Sequence, residues 1–434
     1  MIRTPEYEQL PRKKLEELQL ERLRAKVGEL NDKVPFYHRA FKEQGVSPDD
    51  LKNISDITKL PFTSKLDFKD NYPLGLMAVP LEKVVRIHSS SGTTDKPTIA
   101  PYTQGDIDTW AEILARALTI AGVTKEDVLQ NAFGYGLFTG GLGFHYGVER
   151  LGATVIPTSI GNTKRQLTLL QDLGTTVLAC TPSYALIISE AAQEMGVDLR
   201  KTKLRLALCG AEPSSEQMRK DIEKRLGVQV LNDYGLTEAM GPGVSIECPY
   251  QCGMHVPEDN FLVEIIDPET GEQLPYGDEG ELVITTLTKE ACPVIRFRTR
   301  DITSLNPEPC KCGRTLVRMS RITGRTDDML IVRGVNVFPS QIENVLLKVE
   351  GVEPYYMIVV DRTTAFSCSD IEIWVEVNED IFSDEMNKME DLGKRVRSEM
   401  NSVLGISTRV KLVEPKTIAR SEGKTKRVVD RSDL

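Results

Sequence analysis

The sequence predicts an α/β fold built on a parallel sheet and followed by a smaller α+β segment. Three observations lead there. Between residues 153 and 234 short β-rich runs alternate with helical stretches: ATVIP, a helix near 163 to 173, TTVLACT, a helix over 182 to 195, LRLALCG, a helix over 213 to 226, and VQVLNDYG. Repeated β-α units of this kind build parallel sheets. From 261 to 305 the pattern changes to antiparallel strands with tight turns at Pro268 to Gly271 and Pro275 to Gly280, a small β unit. Beyond the stretch Arg321 to Pro339 come a helix (340 to 349), the strands YYMIVV and DIEIWVEV, a long helix and the strand VKLVEP.

A chain of 434 residues is too long for one core. RITGRTDDMLIVRGVNVFP (Arg321 to Pro339) is the natural joint. Gly324 and the turn-tolerant Asp327 and Asp328 precede the β-rich run Met329 to Val332, and Pro339 with Ser340 reads as a helix start. The expected division is therefore 1–326 and 327–434.

An apolar fraction of 40% and a charged fraction of 27% are those of a globular protein, and no run approaches the ~20 apolar residues of a membrane span. The opening MIRTPEYEQLPRKKLEELQL lacks the apolar core of a signal peptide, so a cytoplasmic location is expected. A net charge of −10 argues against a nucleic-acid surface and means that anionic ligands are met locally. In a chain of this size without a secretion signal, eight cysteines do not read as a disulfide framework.

In chain order, residues 6 to 44 read as helical, with Leu15, Leu18, Leu23, Val27 and Leu30 on a packing face and a break at Pro35. LPFTSKLDFKDNYPLG carries Lys65 in a Ser/Thr-rich turn, where a lysine is ordinarily solvated. KVVRIHSSSGTTDKPTIAPYT feeds a β-branched run into a loop of small hydroxyl residues. Ser89, Ser90, Ser91, Thr93 and Thr94 offer donors, Gly92 allows close backbone approach and Lys96 supplies charge, a phosphate-grip composition without Walker spacing. NAFGYGLFTGGLGFHYG interleaves glycines with Phe133, Tyr135, Phe138, Phe144 and Tyr146. The dinucleotide fingerprint fails at Tyr146, which leaves a flat apolar slot for a ring or acyl chain, or a helix packing closely through its glycines.

Ligands of parallel sheets sit beyond the carboxyl ends of the strands, and two consecutive ends here carry GAEP (Gly210, Ala211, Glu212, Pro213) and NDYGLTE (Asn232 to Glu238). Those loops should be neighbours. Tyr234 offers a stacking face, Thr237 a hydroxyl and Glu238 a hard carboxylate of the kind magnesium takes. In FRTRD, Asp301 either accepts two ribose hydroxyls or pairs with Arg298 or Arg300. Cys248, Cys252, His255, Cys310 and Cys312 form two knuckles, five candidates for the four places of a tetrahedral zinc site, or free thiols. The last helix shows Phe382, Met386, Met389, Leu392, Val396 and Met400 on one face. In the tail EPKTIARSEGKTKRVVD, Ile418 stands where a Walker loop needs glycine, and Lys424 follows Gly423 on a loop.

HSSSGTTDKPT, GAEP, NDYGLTE, FRTRD, GRTDDMLIVRG and the terminal GK come in the order found in the adenylate-forming acyl-CoA synthetase superfamily, which this chain resembles from about Tyr7 to Asp430. RGVNVFPSQIE, PFTSKLDFKDNYPLGL and FGYGLFTGGLGFHYG are similar to the branch that ligates phenylacetate or a similar aryl-acetic acid to coenzyme A. The resemblance implies a large N-terminal domain of two α/β sheets and a β-barrel, a small α+β lid that rotates about Asp327, and two half-reactions. ATP and the acid give an acyl-adenylate and pyrophosphate, and CoA then displaces AMP.

It also implies roles. Ser90, Ser91, Gly92, Thr93 and Thr94 hold the phosphates; Gly210 to Pro213 and Tyr234 hold the adenine, and Asn232, Asp233, Gly235 and Thr237 belong to the same ATP site. Asp301 and Arg325 take the ribose, and Glu238 takes Mg2+. Phe133, Tyr135, Gly136, Phe138, Gly241 and Pro242 line the acyl site, with Lys424 and Lys65 as further catalytic candidates. Cys248, His255, Cys310 and Cys312 hold a structural Zn2+ with Cys252 spare, and the enzyme is a homodimer. One departure is Asp95, where the family's phosphate loops usually have glycine. The related alternative is an adenylyltransferase of the same fold without a CoA step.

Overall fold

The computed structural model describes residues 1–90, 96–333, 335–362, 364, 367–378, 381, 386–421 and 423–433. Proline sets the first boundaries. The helical region expected over 6 to 44 is cut not only at Pro35 but also at Pro11, giving α1 (Pro5–Glu8), α2 (Arg12–Lys33) and α3 (Pro35–Gln44). Pro11 is the cap residue of α2 and Pro35 the first residue of α3, positions where a missing N–H is harmless. Leu23, Val27 and Leu30 of α2 are buried with Tyr37, Phe41 and Phe297.

The chain divides into two compact units. The first comprises residues 1–180, 198–211 and 228–321; the second comprises 181–197, 212–227 and 322–434. The last and longest segment of the second unit begins at Ile322. The unit also takes in two helices from the β-α region, α8 (Pro182–Glu194) and α9 (Glu216–Leu226).

Unit 1 holds β1 (Val84–Ser89) and β2 (Ile99–Thr103) as an antiparallel ribbon, and a nine-stranded sheet. The parallel part of that sheet runs β7 (Gln229–Tyr234), β6 (Leu206–Gly210), β5 (Val177–Cys180), β3 (Val128–Asn131), β4 (Thr154–Ile156). The parallel sheet expected from the β-α repeat is present, but β3 lies between β4 and β5. VLQN does not read as a buried strand, because half of it is polar. It is one because Gln130 is satisfied inside, donating to Gln166 Oε1 at 2.6 Å and accepting from Thr175 Oγ1 at 3.0 Å. Beyond β7 the sheet turns antiparallel through β8 (Ser245–Glu247), β9 (Met254–His255), β14 (Arg318–Met319) and β13 (Leu305–Asn306). The small β unit is β10 (Phe261–Ile266), β11 (Gly280–Thr286) and β12 (Phe297–Thr303), paired antiparallel as expected. The α/β class holds. Of the two α/β sheets and β-barrel implied, the described residues of this unit form the nine-stranded sheet, the ribbon and this small sheet.

Helices α5 (Gln104–Ile120) and α6 (Thr139–Leu151) pack through glycine. A Cβ on Gly147 would stand 2.3 Å from Leu114 Cβ, and one on Gly143 would stand 2.6 Å from the Trp110 ring. For the helical part of the glycine-rich stretch, close packing is the outcome. The remaining helices of this unit are α4 (Lys65–Asp70) and α7 (Thr163–Asp172).

In unit 2, β15 (Gly324–Arg325) precedes a sheet of β16 (Leu330–Val332), β17 (Val335–Val337), β18 (Val352–Arg362), β19 (Ser367–Val377), β20 (Arg409–Val413) and β21 (Val428–Asp430). Helices α10 (Pro339–Leu346) and α11 (Met386–Leu404) bury Ile342, Val345, Leu392, Val396 and Met400 in one core with Ile358, Val360, Ile371 and Ile373. Phe382, expected to start the last helix, lies outside the described residues. No helix among the described residues is long and apolar enough to cross a membrane.

Gly147→Ala should lower stability by about 1–3 kcal/mol, the cost of overpacking a tight core, measured as a urea midpoint shift. An unshifted midpoint would mean that α5 and α6 do not meet this closely.

Candidate active site

Parallel pairing of β6 and β7 sets Gly210 opposite Asp233, so the loops after the two strands start side by side. The approach is so close that a Cβ on Gly210 would meet the Asp233 carbonyl oxygen at 2.5 Å. Ala211 follows in the left-handed region at φ 69°. Asn232 is fixed by its N–H and side-chain amide on Glu247 Oε2, at 2.8 and 3.1 Å. The Asp233 carboxyl, pushed well above the usual range by complete burial, accepts from the Gly243 N–H at 3.2 Å and so ties the loop together. Tyr234 reaches the other sheet, donating to Asp301 Oδ2 at 2.6 Å.

Asp301 has only 7% of its surface exposed. Of the partners considered for it, Arg298 and Arg300 instead face Glu281, at 2.6 and 3.7 Å. Thr237 and Glu238 occupy a short 3-10 turn. Glu238 is buried, and its Oε1 has no hydrogen-bond partner among the described residues. The Lys289 ammonium, completely buried and with its pKa lowered by that burial, donates to the Glu238 carbonyl oxygen at 2.8 Å. Lys289 carries no signal in the sequence, because LTKEA reads as a solvated turn.

The acyl candidates divide. Phe133 stacks on Phe144 with centroids 5.3 Å apart, and a Cβ on Gly143, next to Phe144, would lie 2.7 Å from Pro242 Cδ. Trp110 Nε1 donates to the Pro242 carbonyl at 3.1 Å. Gly241 precedes Pro242 through a cis peptide and packs against Gly235. Tyr135 accepts from Asn131 Nδ2 at 2.8 Å and meets His145 Nδ1 at 3.2 Å; burial pushes its hydroxyl up to about 12. Gly136 takes φ +131° with open space around it, and Phe138 is exposed. This loop is tied to the ribbon, since Ser89 N and His88 Nδ1 both bond the Leu137 carbonyl, at 2.9 and 3.0 Å.

Ser90 closes the ribbon, its N–H on the Thr98 carbonyl at 3.0 Å and its hydroxyl accepting from Thr98 N at 3.1 Å. Ser91, Gly92, Thr93, Thr94 and Asp95 lie outside the described residues. Lys65 is exposed in the first turn of α4, whose cap is the Ser64–Asp67 pair.

Unit 2 carries the other candidates. Arg325 donates to both oxygens of Asp327 at 2.9 Å. Glu212, its pKa raised by burial, accepts from Ser183 Oγ at 2.6 Å and from the Thr425 N–H at 2.5 Å, one residue beyond the exposed Lys424. Pro213 follows Glu212 in the same unit. Ser183 and Thr425 carry no signal in the sequence, being ordinary helix-start and tail residues.

The antiparallel extension assembles the cysteines. Pairing of Arg318 with His255 brings β9 against β14 and so joins the 248–255 and 310–312 turns. The donor atoms of Cys248, His255, Cys310 and Cys312 all lie within 4.8 Å of one another. Cys248 Sγ stands 3.8 Å from Cys310 Sγ, and Cys312 Sγ 3.5 Å from His255 Nε2. The Cys312 thiol is held far below its ordinary range by a hydrogen bond from Cys248 and by His255. Cys252 is exposed, 3.3 Å from Cys310 but outside the mutually close set.

Comparison with known proteins adds a second line. The family model for AMP-binding enzymes matches residues 17–288, and that for the AMP-binding enzyme C-terminal domain matches 334–432. The chain is similar to a phenylacetate-coenzyme A ligase of Thermus thermophilus, 47% identical over 442 aligned residues and covering 99% of each. It is 48% identical to one of Escherichia coli over 418 residues, 96% of this chain and 94% of the relative. Among solved structures it is similar to a 2-hydroxyisobutyryl-CoA ligase in the postadenylation state in complex with 2-HIB-AMP. That match has a TM-score of 0.93 at 27% identity and covers 99% of this chain and 92% of that one.

Proposed function

The chain belongs to the AMP-binding enzymes and, among them, to the phenylacetate-coenzyme A ligases, and from that premise we propose how its residues divide the reaction. It is an ATP-dependent acid–thiol ligase. The carboxylate oxygen of phenylacetate or a similar aryl-acetic acid attacks the α-phosphorus of ATP, the bond to pyrophosphate breaks, and an acyl-adenylate forms. The CoA thiol then attacks the acyl carbon, giving up its proton as the bond to AMP breaks. The observation that carries this reading is 47% and 48% identity, over nearly the full length, to ligases of that one reaction.

Phosphoryl transfer of this kind needs positioning and charge neutralisation more than a protein nucleophile. In our reading Ser90 to Thr94 hold the phosphates, and Tyr234, with Gly210 to Pro213 and Asn232 to Gly235, holds the adenine. Asp301, oriented by the Tyr234 hydroxyl, and Arg325 hold the ribose. Phe133, Tyr135, Gly136, Phe138, Gly241 and Pro242 enclose the aryl group. Thr237 belongs to the same ATP site, and Lys65 is a further catalytic residue. Glu238 fits Mg2+, since a buried carboxylate oxygen without a hydrogen-bond partner among the described residues suits a hard cation. When bound, Mg2+ supplies charge neutralisation at the phosphates. Asp327 is the hinge about which Lys424 approaches for adenylation and withdraws for thioester formation. A homodimer in the cytoplasm completes the proposal, and sedimentation of the purified enzyme as two copies would support it.

The cysteine set fits a structural Zn2+. Tetrahedral zinc with Zn–S near 2.3 Å and Zn–N near 2.0 Å spaces its ligands about 3.5–3.8 Å apart. The 3.8 Å sulfur pair and the 3.5 Å sulfur–nitrogen pair match that spacing. Four protein ligands leave no open position, so the ion would cross-link the sheet extension and not act on substrate.

Three measurements test this reading. In a coupled assay, AMP and an aryl-acetyl thioester should appear together and only when acid, ATP and CoA are all present; pyrophosphate released with neither AMP nor thioester, CoA being present, would mark an adenylyltransferase instead. Lys424→Ala should slow acyl-adenylate formation by on the order of 10²-fold or more, while thioester formation from supplied acyl-adenylate is nearly kept. Equal losses in both steps would remove Lys424 from this role. Elemental analysis should find about one zinc per chain, and Cys310→Ser should lower the melting temperature more than the turnover of the surviving enzyme. A metal-free preparation with unchanged melting would leave the cysteines as thiols.

A further inference from the structure

Helix α8 falls in one compact unit with the C-terminal segment, and a small set of contacts joins the tail to it. Arg420 sits between two carboxylates from distant parts of the chain. Its Nε and Nη2 donate to Glu190 of α8 at 3.1 and 3.1 Å, and its Nη1 and Nη2 donate to Glu376 of β19 at 2.7 and 2.9 Å. The guanidinium also lies 3.4 Å over the Tyr355 ring. One helical turn further along α8, Glu194 pairs with Lys416. At the start of that helix, Glu212 accepts the Thr425 N–H at 2.5 Å while Ser183, in the first turn of α8, donates to its other oxygen at 2.6 Å.

We propose that these contacts are a releasable latch that docks the Lys424 loop for adenylation, with Glu190 of α8 as its positioning residue. The two carboxylates around Arg420 differ in a way that fits release. The Glu376 side chain is 1% exposed, so losing its guanidinium would strand a buried charge; Glu190 is 25% exposed and can return to water. Arg420 therefore stays with Glu376 and exchanges Glu190 for solvent. The Thr425 contact sits directly after Lys424, so it sets where the lysine's backbone lies. Because Glu212 belongs to GAEP, the same contact links the tail to the adenine loop. An ion pair this exposed to water is weak enough to make and break in each cycle.

The inference rests on the reading that Lys424 serves adenylation alone, and Lys424→Ala in the same two assays checks that reading separately. Glu190→Gln keeps the side-chain shape and removes the charge. It should slow pyrophosphate release in the first half-reaction about 5- to 30-fold, the factor that follows from losing 1–2 kcal/mol of a docked state. Thioester formation from supplied acyl-adenylate and CoA should be unchanged or faster, and the melting temperature unchanged. Arg420→Lys, which loses the two-pronged geometry but keeps a cation beside Glu376, should show the same split. If Lys424→Ala cripples adenylation but Glu190→Gln and Arg420→Lys do not, the latch is wrong and the lysine reading stands. Equal losses in both half-reactions would make Glu190 merely structural and also overturn the latch. If Lys424→Ala spares adenylation, the reading beneath the inference fails first.

Discussion

The turn after β7 depends on backbone contact that only glycine permits. A Cβ on Gly241 would stand 2.2 Å from the Leu236 nitrogen and 2.5 Å from Gly235 Cα; one on Gly235 would stand 2.6 Å from Gly241 Cα. The chain therefore folds back on itself within a few residues of the strand end, with Met240 in the left-handed region and Gly243 at φ +92°. That fold-back lets Asp233 accept the Gly243 N–H, carries Pro242 to Trp110 and Gly143, and buries Glu238. Three groups of different chemistry, the Tyr234–Asp301 pair, the Glu238 carboxylate and the Pro242 wall, thus take their places from one turn. Any side chain at 235 or 241 would push all three apart together.

How much of this was legible follows from physical differences between the segments. The β-α repeat could be read because buried parallel strands are continuous apolar runs, as in LALCG and VLAC. VLQN could not, because its polar half is satisfied by Gln166 and Thr175, partners that no local pattern reveals. The antiparallel extension was hidden for another reason: β9, β13 and β14 are two-residue strands, too short for any period. Yet that extension converts a suggestive cysteine spacing into a cluster of donors. Spacing left five candidates, and only the Arg318–His255 register could show four of them meeting. Of the two readings of the glycine-rich stretch, close packing applies to the helix, which uses Gly143 and Gly147 for it, while Gly136 lies in open space in the loop before it.

Unit 2 combines elements that the sequence makes plain with two helices that it does not. The alternation of helix and strand past residue 339 is plain in the sequence. That α8 and α9 belong to the same compact unit is not, because the contacts are made by charged side chains. Arg225 with Glu353, Ser215 N with Glu343, and Arg420 with Glu190 look in sequence like solvated surface. Such pairs carry no periodic signal, so sequence patterning assigns the helices to the sheet they interrupt.

The way this chain treats buried carboxylates separates Glu238 from the rest. Burying a carboxylate is costly unless a cation or donors meet it. Glu8 is met by Arg314, Asp259 by Arg116 at 2.6 Å and Glu264 by Arg296 at 2.9 Å, each buried with its guanidinium. Glu238 is buried to the same degree, and a cation is at hand in Lys289, fully buried and also 5.2 Å over the Tyr102 ring. The lysine nevertheless gives its hydrogen bond to the Glu238 carbonyl and leaves Oε1 without a partner among the described residues. Lys289 thus braces the turn through its backbone and not through the carboxylate. In a protein with a net charge of −10 that takes a triphosphate, a carboxylate-bound cation would reconcile the two charges. A buried acid whose Oε1 lacks a partner among the described residues is the arrangement expected where a counter-charge arrives with the substrate.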